Sequence, residues 1–442
     1  MQRLLDDLIL YSVEGHQILR DGIAVLSENI DENTAENLTR LEEDKKASCR
    51  RLIKQLMELA YNYGFDGNLW HNYMAYYIAT DENPFSLYQE RSSEVPPAVL
   101  KAAADDCITL RKIFNIDCTY TDSNMERLLT ETIADYMYPS ASAPVMSDAG
   151  KAVSELKDSL EAAKDDDEFF QAVAGFYQKY GTGLIGINRA FTVKVDERGK
   201  ASLRPVVKTE DIKLSDLIGY ELQKQRLTAN TVAFIEKKPA NNVLLYGDGG
   251  TGKSTSIRAI INQYWGKGLR IIQVYRHQMK YLAQIINQIK NRNYRFIIYM
   301  DDLSFEDFET EYKYLKAVIE GGLEPRPENI LIYATSNRRH LIKETWKDRN
   351  DVDYDGDIHR SDSMEEKLSL AERFGVQIYY GKPTKDEFHQ MVETMAEREC
   401  LNIDKDTLHK EANKWEIRRG GVSGRSARQF IDYLKGMEEG TV

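Results

Sequence analysis

Along the first 180 residues apolar positions recur three and four residues apart. Leu4, Leu5, Leu8, Leu10 and Val13 form one such stripe. Leu52, Ile53, Leu56, Leu59 and Ala60 form another, after the charged stretch from Glu42 to Arg51. That period predicts amphipathic helices, and it returns at Val99–Phe114, Met125–Tyr138 and Phe169–Tyr180. Asp165, Asp166, Asp167 and Glu168 precede the last of these, where carboxylates favour the positive end of a helix. Adjacent side chains diverge, so these four read as a helix start rather than a metal site. Tyr61, Tyr63, Trp70, Tyr73, Tyr76 and Tyr77 suit an aromatic core better than a binding groove. No fixed repeat is visible.

Near residue 190 the texture changes. Ala190–Val195 and Ser202–Val207 are β-branched or alternating around Asp196-Glu197-Arg198-Gly199, which predicts a β-hairpin. Strand and helix signals then alternate, which favours an α/β domain with a parallel sheet. The expected division is a mainly helical N-terminal domain (1–185), a hairpin or linker (186–209), an α/β nucleotide-binding core (210–382) and a helical lid (383–442).

Charge divides the chain at the same place. Of 59 basic and 71 acidic residues in 442, the first 200 positions carry 21 and 34, the remainder 38 and 37. The net charge of −12 therefore belongs to the helical part. It argues against coating of a polyanion by the whole surface, not against a local basic face. Residues 251–300 carry nine Lys or Arg and no Asp or Glu, and Tyr275-Arg276-His277-Gln278-Met279-Lys280-Tyr281 interleaves rings with bases. Such a stretch can grip nucleic acid or an acidic polypeptide, or simply balance the acidic region from Asp301 to Glu311. Cys49, Cys107, Cys118 and Cys400 have no zinc-type spacing and read as reduced thiols of a cytoplasmic protein. Asp6 and Asp7 interrupt any signal-peptide pattern, and no apolar run nears the about 18 residues that span a bilayer, so no membrane partner is expected.

The strongest chemical signal is Asn242-Val243-Leu244-Leu245-Tyr246-Gly247-Asp248-Gly249-Gly250-Thr251-Gly252-Lys253-Ser254-Thr255. Gly247 to Ser254 fits G-x-x-x-x-G-K-[ST], with an apolar strand before it and a helix from Ser256 to Tyr264 after it. Glycines let successive amides turn toward phosphate oxygens, and the helix N-terminus adds favourable dipole charge. Lys253 would reach the β- and γ-phosphates of ATP, and Ser254 would give a hydroxyl to Mg2+. Gly247, Asp248, Gly249, Gly250, Thr251, Gly252, Lys253, Ser254 and Thr255 are thus candidate nucleotide-binding residues.

About 47 residues on, Phe296-Ile297-Ile298-Tyr299-Met300 predicts a second buried strand, ending in Asp301-Asp302. Asp301 is the candidate Mg2+ carboxylate and Asp302 the candidate base for the attacking water. A third strand, Ile330-Leu331-Ile332-Tyr333-Ala334, ends in Thr335-Ser336-Asn337. Asn337 could position that water, or be a turn residue.

In this order the three segments resemble the Walker A, Walker B and sensor 1 elements of AAA+ ATPases, over about residues 210–440. The resemblance implies a P-loop core with a helical lid. It gives Leu214-Ser215-Asp216-Leu217-Ile218-Gly219 an adenine-cradling role, with Ile218 and Gly219 contacting the base. Leu370-Ala371-Glu372-Arg373-Phe374-Gly375 resembles the helix end that carries an arginine finger, which makes Arg373 a catalytic residue in a neighbouring subunit's site. Ser423-Gly424-Arg425-Ser426-Ala427-Arg428-Gln429-Phe430 resembles sensor 2, with Arg425 the first choice and Arg428 the second. Asp301 to Glu306, Ala334 to Leu341 and Pro239 to Asn242 also resemble an uncharacterised bacterial family of predicted AAA+ ATP-binding proteins.

The expected function is ATP hydrolysis with Mg2+ by a homo-oligomer, a ring such as a hexamer, coupled to remodelling or loading of a protein or nucleic-acid client. A slow ATP-dependent switch and a DNA-directed loader are the rival readings. Asp302 stands where many AAA+ proteins carry Glu, one methylene longer, so Glu306 is a second candidate acid. Asp351 to Asp362 fits an EF-hand loop except for Asp at its twelfth position, and reads either as a Ca2+ site or as a solvated acidic loop.

Overall fold

The computed structural model describes residues 2–26, 35–92, 94–116, 133–137, 146–207, 209–303, 311–320, 327–337, 370–419 and 421–439. Cys118, Glu306, the loop from Asp351 to Asp362 and most of the stretch Met125–Tyr138 lie outside them. The chain forms two compact units, residues 1–188 with 205–208, and 189–204 with 209–442.

Among the described residues, the first unit consists of α1 (Gln2–Asp6), α2 (Gln17–Leu26), α3 (Ala35–Tyr63), α4 (Leu69–Thr80), α5 (Pro84–Arg91), α6 (Pro97–Phe114), α7 (Asp148–Ala162), α8 (Asp166–Tyr180) and α9 (Gly183–Ile187). Helix α4 is apolar around its circumference and lies in the core; Trp70 is fully buried and donates from Nε1 to the Ile113 carbonyl at 3.0 Å. Asp165 caps α8 as its sequence predicts, accepting from the Glu168 amide. The stripe Leu4 to Val13 does not continue as a helix. Asp106, fully buried on α6, accepts from the amides of Ile9, Leu10 and Tyr11 at 2.8, 2.7 and 3.2 Å, so these donors leave the helical ladder. Cys49 and Cys107 are buried thiols and Cys400 is exposed.

The second unit is built on a seven-stranded sheet: β1 (Ala190–Val195), β2 (Ala201–Pro205), β3 (Val243–Gly247), β4 (Leu269–Gln273), β5 (Arg295–Met300), β6 (Ile330–Ser336) and β7 (Val376–Tyr380), in the spatial order β2-β1-β4-β5-β6-β3-β7. The hairpin β1–β2 extends the sheet, since β1 pairs in parallel with β4. The pairs from β4 to β7 are also parallel. Strand β3 runs between β6 and β7, with Val243 opposite both Tyr333 and Val376. Burial on both faces explains the unbroken apolar runs of β3, β5 and β6. One face packs Val243, Leu245, Ile297, Leu331, Tyr333 and Ile378 against α10 (Glu221–Ile235) and α11 (Lys253–Tyr264). Helices α12 (Leu282–Ile289) and α13 (Glu311–Glu320) precede and follow β5 in the chain. Three final helices, α14 (Lys385–Arg398), α15 (Lys405–Arg419) and α16 (Gly424–Glu439), enclose their own core around Phe388, Val392, Ala412, Phe430 and Ile431. This is an α/β P-loop fold of the AAA+ type with a C-terminal helical lid. Among the described residues no helix is long and apolar enough to cross a membrane.

Candidate functional site

Parallel pairing brings the carboxyl ends of β3, β5 and β6 to one edge of the sheet, where ligands of open α/β sheets bind. Gly247, Asp301 and Asn337 leave the sheet there. Gly247 turns the chain with φ 133°, and a Cβ at this position would lie 2.2 Å from the Tyr380 carbonyl oxygen. Gly250 and Gly252 also hold positive φ, 77° and 91°, and Gly252 caps α11. The loop amides and the α11 N-terminus thus face an open cleft of about 920 Å³, lined by Gly249 to Ser254, Thr255, Asp301, Asp302, Asn337 and Arg425 together with Ile218 from the segment before α10.

Lys253 is buried and donates from Nζ to the carbonyls of Gly247 and Asp248 at 3.0 and 2.6 Å. Its burial lowers its pKa, against the opposing charges of Asp248, Asp302 and Asp301. Ser254 donates from Oγ to Asp301 Oδ1 at 2.7 Å, and Thr335 donates to the same oxygen at 2.7 Å. Desolvation would raise the Asp301 carboxyl, but the nearby Tyr299 hydroxyl, the Ser254 and Thr335 hydrogen bonds and the Arg258 charge outweigh it and hold it below the usual value. Asp302 adopts a left-handed backbone (φ 51°), and its amide donates to Thr335 Oγ1 at 2.9 Å. Asn337 donates from Nδ2 to Asp302 Oδ1 at 2.8 Å.

Gly219, Gly247, Asp248 and Arg373 are not among the residues that line the cleft, whereas Arg425 and Arg428 are. Gly247 and Asp248 contribute carbonyls to Lys253, and Asp248 Oδ2 accepts from the Lys382 amide. Gly219 (φ 78°) shapes the turn beside Ile218. Arg373 does not line this cleft. It precedes β7, whose first residue Val376 lies opposite Val243, so it sits toward the sheet end away from the phosphate loop. In the lid, the Arg425 amide donates to the Gly250 carbonyl at 3.1 Å, whereas the Arg428 guanidinium is paired with Glu399 and Asp432 at 2.9 and 3.0 Å. Of these two arginines, Arg425 is the one without an ion pair among the described residues.

Several residues of the cleft have no role in the sequence reading, three of them on one helix. Met391, Met395 and Arg398 line it from α14, and their i, i+4, i+7 spacing is a signal that one helix face looks into a site. Thr335, two residues before Asn337, is a further one, as the second hydroxyl on Asp301. The basic stretch 251–300 is partly consumed in the fold: Lys253, Arg270 and Arg292 are buried, and Arg270 lies over the Tyr294 ring at 4.3 Å. Tyr275 and His277 remain exposed, their rings parallel at 6.0 Å.

Glycine turns that a side chain would fill, a buried lysine bonded only to carbonyls, and a hydroxyl–carboxylate pair form a donor set that suits a Mg2+–nucleotide complex. Fold and cleft together define a P-loop protein built on a parallel α/β sheet. Residues 188–438 match the family described as "Protein of unknown function (DUF815)", and the chain belongs to that family. No curated protein matches it. Among solved structures it is similar to the RuvB Holliday junction branch migration motor of Thermotoga maritima, at 15% identity and a TM-score of 0.32, over 50% of this chain and 72% of that one. A point mutant of the same RuvB aligns at 15% identity and a TM-score of 0.33, over 51% and 74%.

Proposed function

We propose that this protein is a Mg2+-dependent ATP hydrolase whose site is completed by a second copy of the chain. The observation that carries this reading is the convergence of Lys253, the Ser254–Asp301 pair and the Asn337–Asp302 pair on one cleft. In this reading Lys253 leaves the Gly247 and Asp248 carbonyls for the β- and γ-phosphates. Ser254 and Asp301 would hold the metal, which would supply charge neutralisation at the phosphate oxygens. Asp302 accepts the proton of a water attacking the γ-phosphorus as the bond to the bridging oxygen breaks, leaving ADP and phosphate, and Asn337 fixes the orientation of Asp302. Arg425 approaches from the lid. The position of Arg373 outside its own cleft supports a role in a neighbour's site. Ile218, Met391 and Met395 offer apolar surface to a base.

The test is ATP turnover per chain as a function of protein concentration. Turnover should rise as copies assemble, and Arg373→Ala should lower it by about 10³-fold or more. A constant rate in a confirmed monomer would contradict the shared site. Coupling to a macromolecule is read from stimulation, by a protein client for a remodeller and by DNA for a loader. A slow switch would instead show tight ATP binding with near-zero turnover.

A further inference from the structure

Tyr299 places a hydroxyl beside Asp301 without a regular hydrogen bond to it. The side chain is 4% exposed, and among the described residues its Oη is buried without a hydrogen-bond partner of regular geometry. Tyr333, directly opposite on β6, shows the ordinary arrangement: its hydroxyl meets Thr231 Oγ1 at 2.8 Å and accepts from Asn230 Nδ2 at 3.1 Å. Leaving a buried hydroxyl unpaired is costly, and such a group points to a partner, an ion or a water that arrives later. The surroundings of Tyr299 say which. On a strand, residues two apart share a face, so Tyr299 stands on the side from which Asp301 emerges, the side packed against α11. Its hydroxyl neighbours are Ser254, Asp301 and Thr335. Both short hydrogen bonds to this carboxylate, from Ser254 and from Thr335, end on Oδ1.

We infer that Tyr299 is a positioning residue for Asp301: when Mg2+ and nucleotide load, the carboxylate rotates and the phenol donates to it, fixing the orientation that faces the metal. Groups of this kind around metal ligands change affinity by about 10–100-fold when removed. The inference rests on the reading of the cleft as a Mg2+–nucleotide site.

The experiment is a Mg2+ titration of the full chain in the presence of a non-hydrolysable ATP analogue, read by thermal stabilisation, on the parent, Tyr299→Phe and Tyr333→Phe. Tyr299→Phe should fold with an unchanged or slightly higher melting temperature without ligand, because it removes an unsatisfied hydroxyl. Its Mg2+ midpoint should rise by about tenfold, with analogue binding in the absence of metal unchanged. Tyr333→Phe should lower the melting temperature and leave the Mg2+ midpoint in place. Superimposable Mg2+ curves for the parent and Tyr299→Phe would overturn the inference alone. A parent without any Mg2+ effect would instead overturn the metal–nucleotide reading beneath it.

Discussion

Asn337 Nδ2 lies 2.8 Å from Asp302 Oδ1, so the amide that ends β6 holds the second acid that ends β5. The two residues are 35 positions apart and meet only because β5 and β6 are parallel neighbours. Without the amide the carboxylate loses its orientation but not its charge. Asn337→Ala should therefore lower kcat by about 10²-fold, the usual cost of one preorganised polar contact, with KM for ATP changed little. Steady-state kinetics on the folded variant give both numbers.

Lys253 makes a second, separable case. Its ammonium is buried against two carbonyls, and burial disfavours its charged form. Lys253→Met should therefore leave the melting temperature of the ligand-free protein near that of the parent. Stabilisation by Mg2+–ATP, which follows the logarithm of ligand concentration over Kd, should disappear. Differential scanning calorimetry with and without nucleotide separates the two effects.

Gly247 is set by backbone geometry. Its φ of 133° and the Tyr380 carbonyl 2.2 Å from any Cβ leave no room for alanine. Gly247→Ala should destabilise the second unit by at least about 2 kcal/mol. Gly249→Ala, where a Cβ would meet nothing within 4 Å, should cost far less. Urea unfolding of the two variants makes the comparison.

In the helical unit, Arg51 donates to both oxygens of the buried Asp21 at 2.6 and 2.8 Å. Desolvation would raise this carboxyl, but Arg51 and Gln17 outweigh it and lower its pKa below 3.8. A depressed carboxylate stabilises the fold above its unfolded pKa, and that contribution is lost as pH falls through the folded value. Arg51→Gln should remove the contribution and leave Asp21 poorly compensated. Loss of stability at neutral pH, with the acid transition moved to higher pH, is the expected outcome in pH-dependent denaturation followed by circular dichroism.

How much of this was legible in the sequence depended on what buried each element. Strands β3, β5 and β6 are buried on both faces, so each appears as an apolar run closed by Gly, Asp or Asn. Strand β4 buries an arginine at its second position, because ring faces and carbonyls receive the Arg270 guanidinium in place of water. The N-terminal stripe misleads because its amides are claimed by Asp106, a residue about 95 positions away. The P-loop and both acids follow local rules of turn and charge. Met391, Met395 and Arg398 depend on how α14 is placed over the loop, and only the helical spacing hints at them.

In the proposed mechanism Asp302 activates water in a site where Lys253 and Asp301 would hold Mg2+–ATP. The most direct measurement is ATP turnover of the parent and Asp302→Asn, with ATP affinity measured on the same samples. Turnover in the parent, its loss in the variant and nearly equal affinities are the expected result. Hydrolysis surviving in Asp302→Asn would contradict it.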